Sequence, residues 1–322
     1  MKTETKITFQ DNFEEEVYNG LTTSPKFLSS KYFYDKKGDK LFQDIMKLPE
    51  YYLTNCEMNI IERFKSIISE YFNDDNGFDL IELGAGDGKK TKILLREMIA
   101  KSFDFNFMPI DISQNVLEEL NKSLRKEIPG IKVTPQQGTY FEVLDKLATY
   151  NKRKKVIMVL GSNIGNLLHP DAIKFLKQIQ EGMSKKDLLF MGFDQKKNPQ
   201  TILDAYNDTT GVTAAFNKNV LVRINTEMDA NFEVDKFLHW EVYDPESGTA
   251  KSYLVSKEAQ NVTIRSLNLT ICFDPWETIH TEISQKYDDK VVHWLATESG
   301  LKVDHSFTDE KKYYKNYIFS KK

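Results

Sequence analysis

The chain has 322 residues, 40% hydrophobic and 12% aromatic, enough to bury a sizeable core as one large domain or two small ones, and this composition excludes disorder as its main state. Its 44 basic and 48 acidic residues give a formal charge of −4, without the basic surplus that a nucleic-acid binder gathers on one face. No apolar leader and no run of about 18 apolar residues is read in the sequence, and Cys56 and Cys272 stand far apart. Neither a signal peptide, a membrane span nor a disulfide framework is expected, and a cytoplasmic protein is the expectation.

The first seventy residues read as helices and loops. Leu41, Phe42, Ile45 and Met46 recur at helical spacing, as do Met58, Ile61 and Phe64. Pro49 ends the first of these helices, and Thr54 or Asn55 is expected to cap the second, with Glu57 in its first turn. From residue 78 strands and helices alternate. The runs FDLIEL, FDFNFMPIDIS, IKVTPQQGTYF, KKVIMVL and DLLFMGFDQ are each strand-like, and helical stretches separate them. That rhythm predicts a doubly wound α/β core with a parallel sheet over about 78–195. Between 197 and 285 the rhythm is lost, and polar loops alternate with strand-like pieces such as KFLHWEVYD, KSYLVSK and WETIHTEIS. The helix VVHWLATES and the strands LKVDHSFT and YYKNYIFSK then supply a terminal antiparallel pair. This pair is expected to close the sheet, which makes 197–285 an insertion.

Candidate chemistry concentrates in a few places. In IELGAGDGKKT (81–91), glycines at a strand's end permit a tight turn and close ligand approach, with a helix N-terminus behind them. A Walker A loop fails here, because Leu83 and Lys90 stand where glycine and Ser or Thr are required. The G-x-G-x-G spacing preceded by Glu82 is similar to that of class I S-adenosylmethionine-dependent methyltransferases, and Asp111 at the end of the second strand suits ribose hydroxyls. The loop GSNIGN (161–166) opens at the same sheet edge and offers Asn166, as a substrate partner or as a turn residue bonding its own backbone. In TEIS, alternation puts His280, Glu282 and Ser284 on one strand face, either solvated or gripping a donor–acceptor group such as imidazole. The five histidines are scattered without a ligand spacing, so no metal site is expected. The tyrosines of KYFYD, PEYY and DAYND fit core or rim equally.

Taken together, SKYFYDKKGDKLFQDIMKLPEYYLTNCE, ELGAGDGKKT, PIDIS, LGSNIGNL, DAYNDTTGVTAAFNKNVLVRIN and TEISQKY resemble, in order and spacing, the histidine-specific methyltransferases that open ergothioneine biosynthesis. The resemblance runs from about residue 25 to the C-terminus, and a branch that N-methylates a prenylated tryptophan looks similar too. It implies a Rossmann-like class I core over 63–196 and 286–322, with 1–62 and 197–285 forming an α+β substrate-binding domain and the active site between this lobe and the sheet edge. It further implies that Gly84, Gly86, Lys90, Asp111, Thr139 and Tyr140 hold S-adenosylmethionine. Tyr52, Asn166, Tyr206, Glu282 and Ser284 would hold the amino acid, the last two at its imidazole, while Tyr34 approaches the transferred methyl. Asn166 and Tyr206 would also orient the amine for catalysis. Two positions depart from the family pattern: Thr139 replaces the usual acidic residue at the adenine, and Ser252 stands where histidine-specific members carry a methionine lining the substrate pocket.

The expected reaction is in-line methyl transfer to the α-amino group of free L-histidine, giving the trimethyl betaine hercynine, and the partner is therefore a small molecule, with no nucleic acid or membrane involved. A methyltransferase for another aromatic amino acid, such as a tryptophan derivative, and a cofactor-binding protein without turnover are the alternatives. The sequence does not set the oligomeric state.

Overall fold

The computed structural model describes residues 8–111, 114–138, 142 and 153–322. Thr139 and Tyr140 lie outside these residues. The described chain divides into two compact units, one of residues 1–51 and 197–284, the other of residues 52–196 and 285–322. No described helix is long and apolar enough to cross a membrane.

In chain order, α1 (Asn12–Thr22), β1 (Lys26–Phe27) and α2 (Lys36–Ile45) open the first unit. The second unit begins with α3 (Tyr52–Phe72), β2 (Phe78–Leu83), α4 (Lys89–Ala100), β3 (Phe105–Asp111) and α5 (Gln114–Glu127). It continues with β4 (Gln136–Gln137), β5 (Lys154–Val159), α6 (His169–Glu181) and β6 (Leu188–Asp194). The chain then supplies α7 (Pro199–Tyr206), α8 (Val212–Glu227), β7 (Phe237–Asp244), β8 (Thr249–Ser256), β9 (Gln260–Ile264), β10 (Leu269–Phe273) and β11 (Thr278–Gln285). It returns to the second unit for α9 (Asp289–Glu298), β12 (Leu301–Thr308) and β13 (Tyr314–Lys321).

The larger unit is built on a seven-stranded sheet of order β12-β13-β6-β5-β2-β3-β4. Strands β2 to β6 are mutually parallel, while β13 runs antiparallel to β6 and β12 antiparallel to β13. Every residue of β2 and β5 is buried, as a strand covered by helices on both faces must be. Ile81, Ile157, Leu189 and Phe193 share one core with Leu176 of α6 and Leu295 of α9. Phe190, one position on from Leu189, turns to the other face and meets Phe72 of α3 edge-on at 5.5 Å. An ion pair is sealed inside this unit: Lys155 Nζ lies 3.4 Å from Asp187 Oδ2, with side chains 1% and 0% exposed. Asp187 also accepts from the N–H groups of Lys155 and Ser184, which gives the buried carboxylate the partners it needs.

The smaller unit carries a four-stranded sheet of order β1-β11-β8-β7 and the hairpin β9–β10. Its core joins Val17 and Leu21 of α1, Phe216, Val220 and Ile224 of α8, Leu254 of β8 and Ile279 of β11. Along β7, buried and exposed residues alternate from Phe237 to Val242, the pattern of a sheet with one covered face.

The insertion, expected as part of an α+β unit, opens with two helices that the sequence pattern does not mark. In α8, buried Asn217 and Asn219 stand beside Phe216, Val220 and Leu221, so polar residues sit on the covered face and blur the period that marks a helix. Next, Thr54 and Asn55 do not cap α3, which already starts at Tyr52 and takes Glu57 into its buried stripe. Lastly, the expected boundary at 62/63 falls inside α3, and the unit boundary lies at the start of that helix. Of the third expected strand, IKVTPQQGTYF, the described residues pair as a strand at Gln136–Gln137, with a bridge from Val133 to Phe107, and 139–141 lie outside the described residues.

Candidate active site

In the larger unit, β2 ends in a turn whose glycines all have left-handed backbone: φ is 74° at Gly84, 52° at Gly86 and 65° at Gly88. At Gly88 the left-handed backbone itself disfavours a side chain, and a Cβ there, 2.6 Å from Leu120 Cδ1, would also require that leucine to shift. Gly86 differs, since nothing lies within 4 Å of where its Cβ would be. That open space beside the start of α4 is where a ligand can approach the backbone. Beneath the turn, Glu82 is 3% exposed and accepts from Thr91 Oγ1 at 2.6 Å. Its other oxygen has no hydrogen-bond partner among the described residues. Burial pushes its carboxyl up to about 7, against the opposing pull of the Thr91 bond and of Lys90. Asp111 ends β3, the neighbouring strand, and is half-buried.

Lys90, in the first turn of α4, is held by a carboxylate that sequence reasoning passed over. Glu57 is fully buried. Its Oε2 accepts from Lys90 Nζ at 2.6 Å and from the Gly161 N–H at 2.8 Å, and its Oε1 accepts from Asn316 Nδ2 at 2.9 Å. One side chain thus ties the glycine turn's lysine to the loop after β5. The signal was present: Leu53, Cys56, Glu57, Ile60 and Ile61 have the i, i+3, i+4 spacing of a buried helix face, and the carboxylate among them needs a partner.

The loop 161–166 ends in a 3-10 turn, Asn163–Asn166, whose Asn166 is exposed. Ser162 anchors it by accepting from the Asp194 N–H at 3.0 Å, and Tyr287 donates to the Ile164 carbonyl at 3.0 Å. Asp194, at the end of β6, is a second buried hub. Its carboxylate pairs with Lys286 Nζ at 2.8 Å, both side chains being at most 1% exposed, and accepts from the Tyr52 hydroxyl at 2.9 Å. Tyr52 also packs edge-on against Tyr313. In this unit Gly84, Gly86, Lys90, Asp111, Asn166 and Tyr52 therefore all stand at the carboxyl ends of parallel strands or on the elements that abut them, the edge where open α/β sheets bind ligands.

In the smaller unit the remaining candidates gather on β11 and its neighbours. Ile279 and Thr281 face the core, while Glu282 and Ser284 face the other way with His280. The Tyr206 hydroxyl, at the end of α7, lies 2.6 Å from Ser284 Oγ. Thr281 holds the strand down: its hydroxyl meets Asn217 Oδ1 of α8 at 2.9 Å and the Ser252 carbonyl at 3.1 Å. This contact links the segments TTGVTAAFN and TEIS, since the asparagine of one is the partner of the threonine of the other. Asp208 fixes the start of α8 by accepting from the Val212 and Thr213 N–H groups at 3.1 and 2.7 Å. Burial would raise its carboxyl, but these bonds and that of Thr210 outweigh burial and hold it at about 2. Tyr34 leaves 43% of its surface open and packs edge-on against Phe42 and Phe216. Desolvation of its hydroxyl, followed by the charge of Glu282, pushes the phenol well above its ordinary value, so it stays neutral. No group of three or more His, Cys, Asp or Glu among the described residues could hold a metal ion.

A parallel sheet wound in this order, closed by an antiparallel strand between β6 and β12, with a glycine turn after β2 and an aspartate ending β3, defines a class I S-adenosylmethionine-dependent methyltransferase. The residues fit that cofactor: the open approach at Gly86, a lysine beside it and a carboxylate on the next strand supply backbone, cation and anion. The model for histidine-specific, SAM-dependent methyltransferases matches residues 13–321, and the chain belongs to that family. It is 35% identical to histidine N-alpha-methyltransferase of Mycolicibacterium smegmatis, over 91% of this chain and 90% of the relative. Identity to the Mycobacterium tuberculosis protein of that name is 34%, over 92% and 90%. The 4-dimethylallyltryptophan N-methyltransferase of Claviceps fusiformis is more distant, at 24% over 94% and 90%.

Proposed function

We propose that this protein methylates the α-amino group of free L-histidine, in successive rounds up to the trimethyl betaine. The observation that carries the reading is the face of β11, where Glu282 and Ser284 stand two residues apart and the Tyr206 hydroxyl is 2.6 Å from Ser284. Glu282 accepts one ring N–H of the imidazole, and the Ser284 hydroxyl serves the other nitrogen as donor or acceptor. Asn166, Tyr206 and Tyr52 hold the amine and carboxylate, with Asp194 and Lys286 fixing the Tyr52 phenol. Gly84, Gly86, Lys90 and Asp111 take the cofactor, with Thr139 and Tyr140 as further candidates, and Tyr34 stays a neutral phenol near the acceptor.

Bound S-adenosylmethionine supplies an electrophilic methyl on a sulfonium. The protein's part is to present a neutral amine in line with it, since holding reactants in an attack geometry contributes most of the rate in such displacements. An ammonium proton must leave first, and amide and hydroxyl partners orient the amine without fixing a charge on it, while water takes the proton. Such partners also let a partly methylated nitrogen turn between rounds. We place the reaction in the cytoplasm, where the thiols of Cys56 and Cys272 stay reduced.

The test is product formation from methyl-labelled cofactor with a panel of free amino acids. Histidine and its mono- and dimethyl forms are expected to be accepted. Acceptance of tryptophan together with rejection of all three would refute the substrate.

A further inference from the structure

Glu57 of α3 is an anion shut away from solvent, yet the cation it meets is accessible: the Lys90 side chain is 22% exposed and that of Glu57 0%. The pair Lys155–Asp187 differs, since both its members are sealed and neither can meet a ligand. Each partner of Glu57 comes from a separate element. Its Oε2 accepts from Lys90 Nζ of α4 at 2.6 Å and from the Gly161 N–H after β5 at 2.8 Å, while its Oε1 accepts from Asn316 Nδ2 of β13 at 2.9 Å. Gly192 of β6 leaves room for the carboxylate, because a Cβ there would force Glu57 Oε1 to move. Three donors from three elements fix the buried carboxylate, and through it the ammonium. Lys90 thus stands at the start of α4 with its charge already compensated from beneath.

We propose that Glu57 is a specificity-determining residue for the cofactor, acting through Lys90. By cancelling the lysine's charge in place, it shifts the balance of binding from the thioether of the product, S-adenosylhomocysteine, toward the sulfonium of S-adenosylmethionine. The two ligands share their adenosine, amine and carboxylate, and they differ by the methyl and one positive charge on sulfur. A lone Lys90 would oppose that charge and leave the thioether untouched. Contact is not required: at an effective dielectric constant of about 20, unit charges ~10 Å apart still change an affinity by about tenfold. A turn left with a net positive charge would therefore hold product at the expense of fresh cofactor and slow successive rounds of transfer. The inference rests on the reading that Lys90 stands at the cofactor.

The experiment is calorimetric titration of the full-length protein with each ligand, without amino acid, at pH 8. That pH lies above the value of about 7 at Glu82, the carboxyl under the same turn, so this neighbour is charged throughout. Glu57→Gln keeps the shape and removes the charge. Its amide oxygen still accepts from Gly161 and Lys90, and Asn316 can turn its amide so that Oδ1, which has no hydrogen-bond partner among the described residues, accepts from the new N–H. This variant should bind S-adenosylmethionine about tenfold more weakly and S-adenosylhomocysteine no more than about threefold more weakly. Adding Lys90→Met makes the pair neutral again, and should return the ratio of the two affinities to that of the wild type while both ligands bind more weakly for want of the lysine. Equal losses for both ligands in Glu57→Gln, or a ratio that stays shifted in the double variant, would overturn the assignment. If Glu57→Gln does not fold, the double variant against wild type decides by the same ratio. Wild-type affinity of the double variant for both ligands would instead take Lys90 away from the cofactor, and with it the reading on which the inference rests.

Discussion

Strands β2 and β5 of the larger unit bury every residue, whereas β7 of the smaller unit alternates buried with exposed ones. The difference decides where each unit can carry chemistry. A strand covered on both faces has no side chain to spare for a ligand, so the larger unit's candidates lie where strands end: Gly84 and Gly86 after β2, Asp111 at the end of β3, Asn166 after β5, Asp194 at the end of β6. A strand covered on one face can use the other: on β11, Ile279 and Thr281 are buried while Glu282 stands on the opposite face with His280. On the function proposed above, loop ends would hold the cofactor and a strand face the amino acid.

The contrast can be broken most severely inside the larger unit. Asp187→Ala strips the buried Lys155 of its counter-charge and should cost roughly 3–5 kcal/mol of unfolding free energy, read by denaturant titration. A loss of under about 1 kcal/mol would mean that the interior there is wet.

Glu82 gives a test with a pH signature. Its carboxyl is raised from 4.5 to about 7 in the folded protein, so the folded state binds the proton more tightly than the unfolded chain, and stability falls as pH rises through that interval. Glu82→Gln cannot ionise and should escape this fall, gaining on the order of 3 kcal/mol or less relative to wild type between pH 4.5 and pH 8. Parallel stability curves for the two proteins over that range would show that Glu82 is not desolvated.

On the smaller unit, Glu282→Ala should lower kcat/KM for histidine by about 2–3 kcal/mol, because a ring N–H loses its acceptor, and lower that for phenylalanine less. Equal losses for both substrates would place Glu282 away from the ring. The smallest effect is expected at a strand end: Asp111→Ala should weaken S-adenosylmethionine binding by about 1–3 kcal/mol in calorimetry. Unchanged affinity would remove Asp111 from the cofactor site.

The same contrast explains what could be read in the sequence. Continuous apolar runs ending in glycine or aspartate announce covered strands and their ligand-facing ends, so the sheet from β2 to β6 and the terminal antiparallel pair were legible from residue order alone. The amino-acid site was not. Alternation put Glu282 and Ser284 on one face, but only the resemblance connected them to Tyr206, which lies 78 positions away in the chain and 2.6 Å away in space. Helix α8 was hidden because buried asparagines make tertiary bonds, Asn219 to the Phe33 carbonyl and Asn217 to Thr281. Glu57 was missed for a related reason: its partners Lys90 and Asn316 come from another helix and a strand, and register across elements is not written in any local window.

The central claim is transfer of methyl to the α-nitrogen of histidine. Carbon-13 methyl-labelled cofactor, incubated with the enzyme and free L-histidine and followed by nuclear magnetic resonance, reports the atom that receives the label. The account predicts label on the α-nitrogen alone, accumulating as the trimethylammonium signal with the imidazole unmodified. Label on a ring nitrogen, or none on histidine while another amino acid is methylated, would contradict it.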